Sequence, residues 1–309
     1  MKILFFNEYR LGVLKEGRVV DVTEALPHVG ILKPENHIEM VIEEFDRFKP
    51  LFEEIVAKDN GIHYEDVTVR APLPRPPSIL SAFDNYKDID APVRPLDFFY
   101  KGSGVTGPGE TVVLADEPMV ACFHPEPELG VVIGKKGKDV SEDDAMDLVF
   151  GYLNTIDVSA RPDFKKIAAM GGSGQRGPGT LFKGKARDTW VPLGPVITTK
   201  DEIADPHNIN IKLWLNGELK QDFSTSLMMH SIPAQIAWLT KYITLVPGDV
   251  ITTGTYHVGL SPINDGDRVE MESEGMERLV FKVKGFGPRK DADWFPPGPP
   301  PKGKGGKPS

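Results

Sequence analysis

The segment from His124 to Arg161 constrains the fold most, because it joins two apolar runs that both carry acidic side chains. Glu126 and Glu128 stand two residues apart at the start of the first run. In an extended chain they point to the same face, about 6.5–7 Å apart along the strand. Asp157 lies in the second run. The segment therefore predicts two strands that bring three carboxylates towards one place.

The residues between the two runs predict a short connecting helix. Gly134 and Gly137 end the first strand, and Ser141–Asp144 has the pattern of a capping box. Apolar residues follow at the spacing of one helix face. We expect Gly151 to end this helix and the second strand to extend from Tyr152 to Val158.

A cluster of three carboxylates without cysteine suits a hard divalent cation. Mg²⁺ and Mn²⁺ prefer oxygen ligands and leave coordination positions open for water or a chelating substrate. The alternative is that Glu126 and Glu128 are solvated residues at a strand start and Asp157 is a buried, hydrogen-bonded acid. The spacing alone leaves both interpretations open.

Several motifs occur in a fixed order between about residues 75 and 285. They are Glu126–Gly134 (Glu-x-Glu-Leu-x-Val-Val-Ile-Gly), Gly151-Tyr with Asp157–Arg161 (Asp-Val-Ser-Ala-Arg), Gly184-Lys185, Asn216-Gly217, Pro247–Ile251 and Thr253–Thr255. As a set, these motifs resemble the fumarylacetoacetate hydrolase family, which includes proteins like 2-hydroxyhepta-2,4-diene-1,7-dioate isomerase.

The resemblance implies a metal site formed by Glu126, Glu128 and Asp157, with Mg²⁺ or Mn²⁺ as the cofactor. It places Lys185 beside the substrate as a cationic hydrogen-bond donor. The resemblance also implies that Thr255 helps to bind the substrate carboxylate. We predict three further substrate-binding residues: Tyr86, Lys101 and Arg161. The expected activity is hydrolysis of a C–C bond in a small acylpyruvate-like or diketo acid through an enolate, as in the catabolism of aromatic compounds.

The sequence departs from this family where hydrolysis needs a base. Hydrolytic relatives commonly carry histidine in the pattern Asn-Tyr-x-x-His, but Ile89 occupies that position here and cannot transfer a proton. A glutamine that often follows the Ser-Ala-Arg motif is also absent, and Phe164 stands near its place. Other residues are candidates for the base: His124, His230, His257, Asp84 and Asp88.

This departure keeps other functions open. Decarboxylation, isomerisation and (de)hydration of a 2-oxo acid need a stabilised enolate but no hydrolytic water. A non-catalytic protein that binds a metal or an oxo acid is a second class, and a scaffold protein is a third.

Composition and charge exclude some partners. The net charge of −9 at pH 7 disfavours nucleic-acid binding, which needs a basic surface. Cys122 is the only cysteine, so no intrachain disulfide is possible and a reducing compartment is the simplest interpretation. No apolar run approaches the ~18 residues of a membrane span, so no membrane partner is expected. We predict a cytoplasmic protein, and the resemblance implies a homodimer or a larger homo-oligomer.

The predicted fold class is α+β and mainly β, with three parts. Residues 1–70 form a small N-terminal α+β domain, in which a helix from residue 37 to 57 is interrupted near Pro50. Residues 71–290 form the catalytic domain, which by resemblance is a mixed β-sandwich roll and by pattern is mostly antiparallel. Residues 291–309 form a flexible tail rich in Pro, Gly and Lys. The glycine-rich residues 170–179 are either an active-site loop or a solvated connector.

Overall fold

A computed structural model provides the architecture, and it describes residues 1–27, 33, 36–87, 92–102, 104–169 and 180–287. Four features of the sequence predictions lie outside the described residues: Asp88, Ile89, the glycine-rich residues 170–179 and the tail 291–309.

Strands dominate the described residues. The strands are β1 (Lys2–Phe6), β2 (Arg10–Lys15), β3 (Arg18–Asp21), β4 (Ile62–His63), β5 (Val69–Arg70), β6 (Ile79–Ala82), β7 (Phe98–Tyr100), β8 (Val105–Thr106), β9 (Thr111–Leu114), β10 (Val120–Ile133), β11 (Val149–Pro162), β12 (Val191–Thr199), β13 (Asn210–Leu215), β14 (Glu218–Ser224), β15 (Val250–Thr252), β16 (Arg268–Ser273) and β17 (Leu279–Gly285). The α-helices are α1 (His37–Glu43), α2 (Phe45–Lys58), α3 (Glu142–Ala145), α4 (Phe164–Ala169), α5 (Thr180–Lys185) and α6 (Ile232–Tyr242).

The strands form two sheets. The larger has 12 strands, in the order β4-β3-β2-β1-β12-β11-β10-β15-β6-β7, with β5 beside β1 and β8 beside β12. The smaller has five strands, in the order β14-β13-β16-β17-β9. Most pairings are antiparallel, while β8/β12, β6/β15 and β9/β17 are parallel. The predicted class, α+β and mainly β, is confirmed.

The N-terminal strands belong to the same sheet as the acidic strands. β1 pairs antiparallel with β12, which itself pairs with β11. Ile3 and Phe48 are fully buried in one apolar cluster with Val132 and Ile197. A shared sheet and core therefore join residues 1–70 to the rest of the chain, and the domain boundary at residue 70 stays a prediction.

Two local predictions need correction. The break in the first helical segment lies at Glu44 rather than near Pro50, which is inside α2. Burial of Phe48 and Phe52 outweighs the one backbone hydrogen bond that proline removes. Gly151 lies within β11 and does not end a helix. A Cβ at this position would lie 2.3 Å from the Thr198 carbonyl oxygen, so glycine allows the close approach of β12.

The connecting helix forms as predicted, though it is short. Ser141 Oγ accepts a hydrogen bond from the Asp144 amide at 3.2 Å and caps α3. Glu16-Gly17 and Asn216-Gly217 lie in hairpin turns, since β2 pairs with β3 and β13 with β14. No helix in the described ranges is both long and apolar enough to cross a membrane.

Candidate active site

The pairing of β10 with β11 determines which side chains meet. Directly opposed residues of antiparallel strands share a face of the sheet. The register opposes Cys122 to Arg161, His124 to Ser159 and Glu126 to Asp157. Glu128, two residues beyond Glu126, lies on the same face. The sequence predicted both glutamates at the start of a strand. They lie instead inside the 14-residue β10.

Three buried carboxylates converge on this face. Glu126, Glu128 and Asp157 are 4%, 2% and 3% exposed, and each offers an oxygen within 4.8 Å of the others. An octahedral Mg²⁺ holds oxygens at about 2.1 Å, so opposite ligands lie roughly 4 Å apart. The donor set therefore fits a hard divalent cation such as Mg²⁺ or Mn²⁺ with a small adjustment of side chains.

Two lysines contact these carboxylates. Lys185, the last residue of α5, places Nζ 2.6 Å from Glu126 and 2.7 Å from Asp157, and it also donates to Ser159 Oγ. Lys101 pairs with Asp157 and donates to the carbonyl oxygens of Val158 at 2.9 Å and Lys185 at 2.8 Å. Lys101 thus connects the end of α5 to β11. This connection holds Lys185 beside the three carboxylates.

The proton affinities of the two glutamates differ because their neighbours differ. Burial acts to raise the pKa of Glu126, but the charges of Arg161 and Lys185 outweigh it and hold that pKa well below its usual range. Burial and the negative charges of Asp157 and Glu126 raise the pKa of Glu128 to about 8. Glu126 is therefore ionised at neutral pH, while Glu128 retains a proton in the metal-free site.

Burial and neighbouring charges shift the pKa values of Lys101 and Lys185 in opposite directions. Burial lowers the pKa of Lys101, despite the opposing charge of Asp157. Burial also acts on Lys185, but there the charges of Asp157 and Glu126 outweigh it and raise the pKa. Lys185 therefore keeps its positive charge within the cluster.

The turn after β15 forms another side of the site. The Gly254 amide donates to Glu128 at 2.6 Å, and His257 Nε2 lies 3.5 Å from Glu126 Oε1. Thr255 Oγ1 is buried and has no hydrogen-bond partner among the described residues. Tyr86 is also buried, and burial together with the charge of Glu128 raises the pKa of its phenol. These predicted residues therefore surround the carboxylates.

Two candidate bases have partners that were not expected. His124 is fully buried, its Nδ1 accepts from Arg161 Nε at 3.1 Å, and its Nε2 lies 3.7 Å from Cys122 Sγ. Burial, aided by the positive charge of Arg161, lowers the pKa of His124 to about 3. Asp84 forms an ion pair with Arg94 at 2.9 Å.

A third candidate base, His230, lies close to this ion pair. Its Nε2 is 2.7 Å from the carbonyl oxygen of Arg94. The structure therefore groups His230 with Asp84 and Arg94, in contacts separate from those of the carboxylates.

Sequence reasoning missed Ser159 and Phe99. Ser159 Oγ donates to Glu126 at 2.5 Å, and its position two residues after Asp157 was the available signal. The ring centroid of Phe99 lies 5.3 Å from Lys185 Nζ and packs edge-on against Phe83 at 5.0 Å. Phe99 lies on β7 and Lys101 directly follows this strand, so the two-residue spacing, continued past the strand end, was the available signal.

This chain is similar to known proteins in sequence and in fold. The family model described as fumarylacetoacetate (FAA) hydrolase C-terminal matches residues 79–284. Oxaloacetate tautomerase FAHD2B, mitochondrial, from Bos taurus is 37% identical over 71% of this chain and 70% of that protein. The 4-hydroxyphenylacetate degradation bifunctional isomerase/decarboxylase of Escherichia coli is 36% identical over 78% of this chain and 56% of that protein.

One solved structure covers almost the whole fold. The maleylpyruvate hydrolase from Sphingobium sp. SYK-6, in complex with manganese(II) and pyruvate, superposes with a TM-score of 0.79 and 30% identity. The match covers 92% of this chain and 99% of that chain.

Proposed function

Because this chain belongs to the fumarylacetoacetate hydrolase family, we propose that it is a metal-dependent enzyme that hydrolyses a C–C bond of a small acylpyruvate-like or diketo acid. The observation that carries the proposal is the convergence of three buried carboxylates beside the Lys185 ammonium. Glu126, Glu128 and Asp157 would hold Mg²⁺ or Mn²⁺, which when bound supplies a Lewis acid for a substrate oxygen.

The protein's own groups bind and orient the substrate. Lys185 Nζ is a charged donor that can hydrogen bond to an oxyanion at the cluster. Thr255 Oγ1, buried without a partner among the described residues, can donate to the substrate carboxylate. Tyr86, Lys101 and Arg161 line or support the same site, and Lys101 acts through the main chain of Lys185.

His257 is our candidate for the group that accepts a proton. Its Nε2 lies 3.5 Å from Glu126, and its side chain is 17% exposed, so the imidazole can reach both the site and water. His124 is a weaker candidate, because both of its ring nitrogens already contact other side chains.

Two aromatic rings suggest the nature of the acyl substituent. The Phe99 ring lies 5.3 Å from Lys185 Nζ, and the Phe83 ring packs against Phe99 at 5.0 Å. A substrate carbon chain that extends past Lys185 would contact these rings. We therefore expect apolar or aromatic acyl substituents to be accepted more readily than charged ones.

The maleylpyruvate hydrolase with bound pyruvate supports the hydrolase among the possible reactions. Keto–enol tautomerisation of a 2-oxo acid is a second candidate, because the tautomerase relative is 37% identical. Ile89 in place of the usual histidine also favours it, since tautomerisation needs proton transfer but no attacking water. Decarboxylation, (de)hydration and non-catalytic binding of an oxo acid are the remaining alternatives.

The decisive experiment measures pyruvate release from a panel of acylpyruvates with apolar, aromatic and charged substituents. Each reaction is run with Mg²⁺ or Mn²⁺ and again with a chelator. Glu126→Ala removes a proposed metal ligand, and Glu142→Ala removes an exposed carboxylate as the matched control. Hydrolysis predicts release that disappears on chelation and in Glu126→Ala but persists in Glu142→Ala.

Other outcomes identify other functions. Undiminished turnover in Glu126→Ala would refute the metal site. Ketonisation of enol-oxaloacetate without pyruvate release from the panel would favour the tautomerase, and CO₂ release would favour a decarboxylase. Binding of Mn²⁺ without any turnover would favour a binding protein.

The assembly and compartment remain predictions. We expect a homodimer or a larger homo-oligomer, which sedimentation velocity would test. A cytoplasmic location is our prediction, although the tautomerase relative is described as mitochondrial.

A further inference from the structure

We propose that His124 is a positioning residue that holds Arg161 and, through it, fixes the carboxylate of Glu126 for metal binding. The inference rests on the proposed function, because it concerns the affinity of the proposed metal site. It assigns the histidine a task other than proton transfer.

The register between β10 and β11 brings His124, Arg161 and Glu126 into contact. Arg161 on β11 opposes Cys122 on β10, and its guanidinium reaches along β10 past His124 to Glu126. Arg161 Nε donates to His124 Nδ1 at 3.1 Å, while its Nη2 pairs with Glu126 Oε1. The guanidinium is planar and rigid, so holding Nε also sets the direction of Nη2.

The identity of the donor determines the state of the imidazole. An arginine side chain can only donate hydrogen bonds, so His124 Nδ1 must accept. The ring is therefore neutral with its proton on Nε2, which is the nitrogen 3.7 Å from Cys122 Sγ. His124 thus orients a neighbouring cation without carrying charge into the cluster.

The two oxygens of Glu126 have different partners. Oε1 pairs with Arg161, while Oε2 accepts from Ser159 at 2.5 Å and from Lys185 at 2.6 Å. Without His124, the guanidinium could rotate and approach both oxygens, where it would compete with a metal ion. Replacing His124 by a neutral residue leaves the charge of Arg161 in place, so any loss of affinity reports orientation alone.

The test measures the dissociation constant of Mn²⁺, with no substrate present, by isothermal titration calorimetry on the full chain. His124→Leu removes the acceptor, and we expect the affinity to fall by about 10–100-fold, as for other residues that orient metal ligands. His124→Asn can place Oδ1 where Nδ1 was, so we expect an affinity within about threefold of the wild type. His63→Leu removes an exposed histidine that contacts Arg18 Nη1 at 2.6 Å, and it serves as a control that should bind Mn²⁺ normally.

A second background tests whether His124 acts through Arg161. In Arg161→Met protein, adding His124→Leu should change the Mn²⁺ affinity by less than about twofold, because the residue being held is gone. A full additional loss in that background would overturn the inference, as would normal affinity in His124→Leu.

Two further measurements keep the result interpretable. Circular dichroism shows whether His124→Leu folds. If it does not, the ¹⁵N NMR spectrum of the wild-type imidazole tests the inference instead. A proton on Nε2 supports the inference, and a proton on Nδ1 overturns it. If the wild type itself does not bind Mn²⁺ and Glu128→Gln behaves identically, the proposed function fails, and the same ¹⁵N spectrum still tests the contact with Arg161.

Discussion

Removal of the Lys101 ammonium tests whether this buried ion network stabilises the fold. The side chain is 1% exposed, and its Nζ contacts one carboxylate and two carbonyl oxygens, those of Asp157, Val158 and Lys185. Lys101→Met retains most of the volume and removes the donor. Three buried acceptors then lose a partner.

The contacts of Lys101 determine the expected loss in the free energy of unfolding. Breaking one side of a buried ion pair costs about 3–5 kcal/mol, because the partner is left in a poorly solvated place. Lys185 still pairs with Asp157 at 2.7 Å, which favours the lower end of that range. We therefore expect a loss of about 3 kcal/mol in the free energy of unfolding. At about 2 °C per kcal/mol for a large chain, the Tm falls by about 6 °C.

An exposed pair provides the matched control. Lys58 contacts Glu54 at 2.5 Å within α2, and the two side chains are 70% and 63% exposed. Lys58→Met should lower the Tm by much less than Lys101→Met does, since water screens this pair. Differential scanning calorimetry of the metal-free proteins measures both shifts. Equal shifts in the two variants would refute the argument that burial gives the Lys101 contacts their energy.

Four further predictions concern pH, close packing and capping. Below pH 8 the Mn²⁺ affinity should fall about tenfold per pH unit, because Glu128, with its pKa raised to about 8, must lose its proton to bind the metal. Calorimetry at pH 6, 7 and 8 tests this, and an affinity that stays constant over that range would contradict it. The metal-free protein should lose stability as pH rises from about 4.5 to 8, since the folded state binds the extra proton. Gly151→Ala, whose Cβ would lie 2.3 Å from a carbonyl oxygen of β12, should lower the Tm more than Gly184→Ala, whose Cβ would meet its nearest atom at 3.6 Å. Equal shifts would contradict the close approach. Ser231→Ala removes the cap of α6 and should cost about 1 kcal/mol in urea unfolding, and no change would show that the 3.3 Å contact to the Ala234 amide contributes little.

Much of the fold could be predicted because its signals are local. Alternation places Glu126 and Glu128 on one strand face, and turn residues such as Asn216-Gly217 determine hairpins between neighbouring strands. The motif set resembles one family, and the family match over residues 79–284 confirms that resemblance. The roles of individual site residues and the domain boundary at residue 70 stay predictions.

The sequence by itself determined which residue types could gather on one face, since strand periodicity depends only on the local chain. The tertiary structure decided which of these residues contact one another. Lys101 contacts main-chain atoms 57 and 84 residues away, and His124 contacts Arg161 37 residues away. Such contacts depend on the register between β10 and β11 and on the packing of α5, and no local pattern encodes them. For this reason the contact between the His124 imidazole and the Arg161 guanidinium could not be predicted from the sequence.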